Sequence, residues 1–195
     1  NVRATHNAFG GRVEIVDDPT NTASVQHGTH VTGTMIASAN PSTVKGMAPE
    51  ANARTFNWSN DLGEVYEETQ LGMLISNHSY GVPVYNDQNE LNVPAWYMGC
   101  YKETAVDWDN IAIAHPYYLM VASAGNSGGD NYTGGLSAGL DKLTGNKAAK
   151  NNLVIANANP SVHPITGNMT SLLINPSSSQ GPADDGRIKP DIAAD

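Results

Sequence analysis

Alternating strand and helix signals predict an α/β fold, with a central parallel sheet covered by helices on both faces. Three observations carry that expectation. Short β-branched or apolar runs recur along the chain, and helix-like segments separate them. Two of the runs end directly in loops of small residues, HSYG and GNSGG. In open parallel sheets ligands bind beyond the carboxyl ends of the strands, so function is to be sought in those two loops.

In chain order, residues 13–16 read as the first buried strand. Residues 27–39 read as a helix kept thin by Thr29, Thr32, Gly33, Thr34 and Ala37, able to pack closely on a sheet. A strand at 54–57 and a helix at 64–72 follow, then a strand at 73–77 that runs into HSYG. Residues 82–101, VPVYNDQNELNVPAWYMGCY, are punctuated by Asn and Pro and show no period. Loops of that length are commonly functional or disordered. Their aromatics, Trp96, Tyr97 and Tyr101, suit either a substrate rim or a small satellite core. Next come a helix at 104–115 and a strand at 118–124 leading to GNSGG. A short helix at 142–151 and a strand at 153–157 complete the pattern, and the tail from 175 to 185, NPSSSQGPADD, is loop chemistry. Glycine directly after a buried strand marks a place where backbone approaches something closely.

The 195 residues have the length of one domain, and 39% are hydrophobic, enough to bury a core. Ten Lys and Arg against nineteen Asp and Glu give a net charge of −9 with no basic cluster, which argues against a nucleic-acid or anionic-membrane partner. The lone Cys100 cannot form an internal disulfide. No run approaches the roughly 20 apolar residues that span a bilayer. The start NVRATHNAFGG, without Met, and the end DIAAD lead us to expect a window cut from a longer polypeptide.

The stretch SVQHGTHVTGTMIA, residues 24–37, places His27 and His30 three apart, on one face of the expected helix. Such a pair has three readings. It could ligate zinc, although HGTH lacks the glutamate of HExxH and no cluster supplies a third ligand. It could be two structural histidines. Or one could be catalytic, projecting from the first turn above the strand ends, with the other buried.

HGTHVTGT resembles the HGTHVAGT segment of the subtilases, the subtilisin-like serine proteases. Four further segments resemble that family in order. GMAPEA (46–51) is similar to GVAPxA, NHSYG (77–81) to NMSLG, and SAGNSG (123–128) to AAGNEG. SSSQGPADDGRIKPDI (177–192) is similar to SSxGPxxDGRxKPDI. Five matches in order are far more specific than any one. NHSYG together with DDGRIKPDI looks most like the large secreted subtilases of the Bacteroidetes type.

The resemblance implies a three-layer subtilisin-like fold, present here as a partial domain, and a secreted or cell-surface serine endopeptidase acting on polypeptides. It would use an Asp-His-Ser triad and an acyl-enzyme, with no organic cofactor. His27 would be the general base and His30 its buried companion. Asn126, otherwise a turn residue accepting positive φ, would donate to the oxyanion. Ser79, Tyr80 and Gly81, with Ser123, Ala124 and Gly125, would flank the substrate's primary pocket and pair with its backbone as added strands. A floor as small as Ala124-Gly125 leaves room for a large side chain. Structural calcium is frequent in the family, but no acidic spacing defines a site here and no metal ligand is assigned. Nothing indicates an oligomeric state.

The family order is Asp, His, Ser, yet no D-T-G precedes His27. Asp17 and Asp18, in VEIVDDPT, lack the glycine of that motif and read as surface loop. His6 corresponds to a histidine that follows the catalytic aspartate, which places that aspartate before Asn1. No GTSMAxP segment occurs either, and Ser123, Ser127, Ser177, Ser178 and Ser179 lie in no nucleophile motif. Asp195 stands where the family has the proline of DIxAPG. The window is therefore expected to hold the base and the oxyanion donor, and to be inert by itself. A non-catalytic subtilisin-like domain that binds peptides or serves as a scaffold would share all of these segments.

Overall fold

Two parallel strands joined through a helix open the structure, a computed structural model that describes residues 1–17, 25–38, 45–137 and 139–194. The chain forms two compact units, Asn1–Val65 and Tyr66–Asp195. In the first, β1 (Val13–Ile15) and β2 (Ala53–Thr55) pair in parallel, Val13 opposite Ala53 and Ile15 opposite Thr55. A parallel pair needs a crossover, and α1 (Val25–Ile36) lies within it.

One stripe of α1 is apolar and inward. Thr32 and Ile36, one turn apart, are its buried residues, and Ile36 packs with Val2, Phe9 and Val13. His27, His30 and Thr34 fall on the other stripe and are exposed. The expected burial of His30 is thus wrong: three residues from His27, it shares that residue's outward face rather than the face of Ile36. The helix ends where GMAPEA meets it. Gly46, Met47 and Ala48 donate their N–H groups to the carbonyls of Ala37, Thr34 and Met35, satisfying acceptors that a helix end leaves open. A Cβ on Gly46 would stand 2.6 Å from the Ala37 nitrogen and 2.8 Å from the Gly33 oxygen, so this position excludes a side chain. Arg12 closes the same end, donating to the carbonyl of Ile36 at 2.8 Å and the hydroxyl of Ser38 at 2.6 Å.

The helix α2 (Asp61–Gln70) carries Asp61 and Glu64 in its first turn, where acids suit the helix dipole. The second unit continues with β3 (Ile75–His78), α3 (Glu103–Ala114), β4 (Leu119–Ser123), β5 (Leu153–Val162), β6 (Met169–Ile174) and β7 (Ile192–Ala194). The neighbours β3, β4 and β5 run parallel, His78 opposite Ala122 and Ser123 opposite Ile155. The register brings the carboxyl ends of β3 and β4 to one edge of the sheet. The strand β7 joins β5 in parallel, while β6 pairs with its far end antiparallel.

Three expectations need correction here. Residues 73–77 do not form a buried strand: Leu74 and Ile75 are 62% and 63% exposed, and β3 ends the strand order on its side. Residues 142–151 form only a single 3-10 turn, Gly145–Ala148, because the N–H groups of Lys150 and Asn151 donate to the Asp109 carboxylate instead of a helical ladder. The strand at 153–157 continues to Val162 through Pro160, and its exposed partner β6 had no expected counterpart. Residues 82–101 hold one isolated bridge, Tyr85 to Leu91, and one 3-10 turn, Ala95–Tyr97. Val84 and Met98 there have no exposed surface and pack with Tyr132.

Candidate active site

The cleft segments begin where β3 and β4 stop. At the end of β3, His78 is buried and edge-on to Trp108, with ring centroids 4.9 Å apart. Its Nε2 is 2.6 Å from the Ser76 hydroxyl, which is itself 2.6 Å from the Tyr118 hydroxyl. Its Nδ1 is 2.6 Å from the Tyr80 hydroxyl. This buried polar chain fixes the side chain of Tyr80 within Ser79-Tyr80-Gly81. No signal in the sequence separated His78 from a strand-end polar residue.

At the end of β4, the Ala124 N–H donates to the Ile155 carbonyl at 2.8 Å. Gly125 then takes φ of +106°, a conformation that other residues rarely adopt. The serine tract of the fifth matching segment holds this turn from behind. The Ser179 N–H donates to the Gly125 carbonyl at 3.0 Å, and the Ser127 N–H donates to the Ser179 hydroxyl at 3.0 Å. A Cβ on Gly128 would collide with the carbonyls of Pro176 and Ser178, so the two loops touch backbone to backbone. Asn126 stands exposed at the tip, and its side-chain amide makes no hydrogen bond among the described residues. Its φ is negative; Asn89 is the only non-glycine described with a positive one. The turn-residue reading of Asn126 therefore loses its motive.

Ser79, Tyr80, Gly81, Ser123, Ala124, Gly125 and Asn126 all line one cavity of about 220 Å³. The structure also brings to it residues that were not expected there, Lys142, Thr144 and Lys147. The Thr144 hydroxyl donates to the Val82 carbonyl at 2.7 Å, tying the cavity wall to the start of the long loop. Lys147 is only 2% exposed, and burial pushes its ammonium down to about 8. Lysines are rarely buried so fully, and TGNK offers no sequence mark of it.

The motif DGRIKPD braces the chain just beyond Lys147. The Arg187 guanidinium grips Asp185 at 2.8 Å, holding that carboxyl below its ordinary range, and donates to the Ala148 carbonyl at 2.8 Å. Lys189 donates to the Asn152 carbonyl at 3.0 Å and to Asp191 at 2.7 Å. Asp191 in turn accepts the Val154 N–H.

His27 lies in the other unit, exposed in the first turns of α1. A Cβ on the next residue, Gly28, would collide with the Asn1 carbonyl, and the Arg3 N–H donates to the Thr29 hydroxyl at 2.8 Å. The glycine of HGTH thus lets the first residues of the chain lie across the helix. His6 accepts the Ala8 N–H through Nδ1, and Asp17 accepts the Asn57 N–H at 2.9 Å. Asp18 and Asp195 are outside the described residues. The hydroxyls of Ser127, Ser178 and Ser179 accept backbone N–H groups, and that of Ser177 donates to Asn175, so all four are tied into loops. Among the described residues, no three His, Cys, Asp or Glu side chains gather to hold a metal ion.

Among the described residues, no helix is long and apolar enough to cross a membrane. The comparison with curated proteins gives no match. The sequence model of the subtilase family, whose members are serine peptidases acting on polypeptides, matches residues 3–195. That match covers both compact units, His27, the cavity at the strand ends and its bracing motif; the chain belongs to the subtilase family.

Proposed function

We propose that this chain is the part of a secreted subtilisin-like serine endopeptidase that supplies the general base, His27, and the oxyanion donor, Asn126. The likeness of NHSYG and DDGRIKPDI to Bacteroidetes-type subtilases belongs to the same reading. The nucleophilic serine and the orienting aspartate come from sequence flanking these 195 residues. The serine oxygen attacks the scissile carbonyl as His27 takes its proton. Negative charge then develops on the carbonyl oxygen, to which the Asn126 amide donates. His27 returns the proton to the leaving amine, and water repeats the sequence on the acyl-enzyme.

The observation that carries this reading is the cavity beyond β3 and β4, with the unengaged amide of Asn126 in its lining. Full-length protein should react with a fluorophosphonate probe and hydrolyse peptides, and His27→Ala should abolish turnover. Asn126→Leu should lower kcat by roughly 10²–10³ with little change in KM, the loss known for a single oxyanion donor in a subtilisin. A folded full-length protein that resists the probe and cleaves nothing would instead be the peptide-binding or scaffold domain.

A further inference from the structure

Three lysines in the second unit are buried, and two of them have clear partners. Lys142 donates to the Gly128 carbonyl at 2.6 Å, and Lys189 to Asn152 and Asp191. Lys147, the most buried of the three, makes no side-chain hydrogen bond or ion pair among the described residues. Its ammonium lies against Gly81, where any Cβ would collide with Nζ, and its Cε would be 3.9 Å from a Cβ on Gly125. Those glycines belong to the two segments that line the cavity, so the unpaired charge sits at the cavity wall rather than within a core. Among the described residues, no Asp or Glu lines that cavity.

A buried charge without a partner is costly to maintain, and a hydrocarbon side chain entering beside it would leave it unpaired. A carboxylate would instead accept short, charge-assisted hydrogen bonds from Nζ. The cavity of about 220 Å³ has room for a glutamate side chain. Resting on the peptidase reading above, we infer that Lys147 makes the primary pocket selective for an acidic side chain of the substrate, glutamate or aspartate. Lys142, whose ammonium donates to the Gly128 carbonyl, adds positive potential on the same wall. Burial brings the Lys147 ammonium down to about 8, so at neutral pH it still carries its proton. Glutamine, equal in shape and uncharged, is the discriminating control, because sites built around a buried polar group reject analogues that leave it unmatched.

The test uses full-length protein at pH 7 and peptides that differ only in the residue before the cleaved bond. We expect kcat/KM after glutamate to exceed that after glutamine at least tenfold. Lys147→Met should bring the ratio near one and raise cleavage after leucine, and Lys147→Arg should keep the acidic preference. A wild-type ratio near one overturns the inference while the peptidase reading stands, and needs no variant to fold. A ratio unchanged in Lys147→Met overturns it equally. If no peptide is cleaved, binding of peptides ending in glutamate, glutamine or leucine is measured by calorimetry. Glutamate-selective binding that Lys147→Met abolishes keeps the pocket and removes the peptidase reading. Equal or absent binding overturns both.

Discussion

Lys147 ties function to stability at the scale of one residue. Its ammonium falls from 10.5 to about 8 on burial, while in the unfolded chain it keeps its ordinary value. Below about pH 8 both states hold the proton, and the folded state bears the whole desolvation cost, about 3 kcal/mol. Between pH 8 and 10.5 the unfolded state binds more protons, so this group's contribution to stability rises with pH. Among the described residues, Lys142 and Tyr80 are the other titratable groups lining the cavity, and Asp109 and Arg187 hold the adjacent backbone of residues 148–151. None of these changes in Lys147→Met, so comparing the variant with wild type isolates the one lysine. The variant should resist urea better than wild type at pH 7, and the gap should narrow as pH approaches 10.5. A gap that stays constant with pH would show that Lys147 is not a strained cation. His27 and Asn126 were singled out by motifs, because the chemistry proposed for them restricts which residue can serve. Lys147 was not, since a lysine before a strand reads as solvated surface until burial is known.

Among elements, the sequence made the strand-to-loop junctions plain. β3 and β4 end within a residue of the expected positions, and their glycine loops open on one sheet edge. Local pattern carried that, since apolar runs and permissive residues lie side by side in the chain. It failed where an element depends on distant partners. The 3-10 turn Gly145–Ala148 replaces a helix because Arg187 and Asp109, both remote in sequence, take backbone groups at its last residue and just beyond it. The hairpin of β5 and β6 was invisible because its apolar residues are exposed, Leu173 at 68%, and Pro160 argues locally against a strand. The long loop at 82–101 divides between its two readings. Val82 and Pro83 line the cavity, whereas Val84 and Met98 pack under the loop with Tyr132. Trp96 is 54% exposed and carries the Lys102 ammonium 4.6 Å above its ring, so it belongs to neither. Met98→Ala should therefore destabilise the protein by about 2–5 kcal/mol, read from its denaturation midpoint. An unchanged midpoint would mean that the loop is held by its hydrogen bonds alone.

At the scale of the whole molecule, the chain carries a net charge of −9, yet among the described residues the cavity is lined by two lysines and no carboxylate. Outside the pocket, this charge repels an acidic peptide over distances that salt controls. The screening length is about 10 Å at 0.1 M and about 3 Å at 1 M. Inside, a carboxylate meeting Lys147 is shielded from ions by the two cleft segments, and salt weakens such buried pairs much less. The two effects act on different observables. Absolute kcat/KM for glutamate peptides should rise modestly with salt, as the exterior repulsion is screened. The preference for glutamate over leucine, measured from about 0.05 M to about 1 M sodium chloride, should persist within about threefold of its low-salt value. Recognition by exposed lysines would behave in the opposite way, with the preference collapsing as salt is added. A tenfold fall over that range would place the selective charge on the surface, and a preference that survives high salt would place it in the buried wall at Gly81.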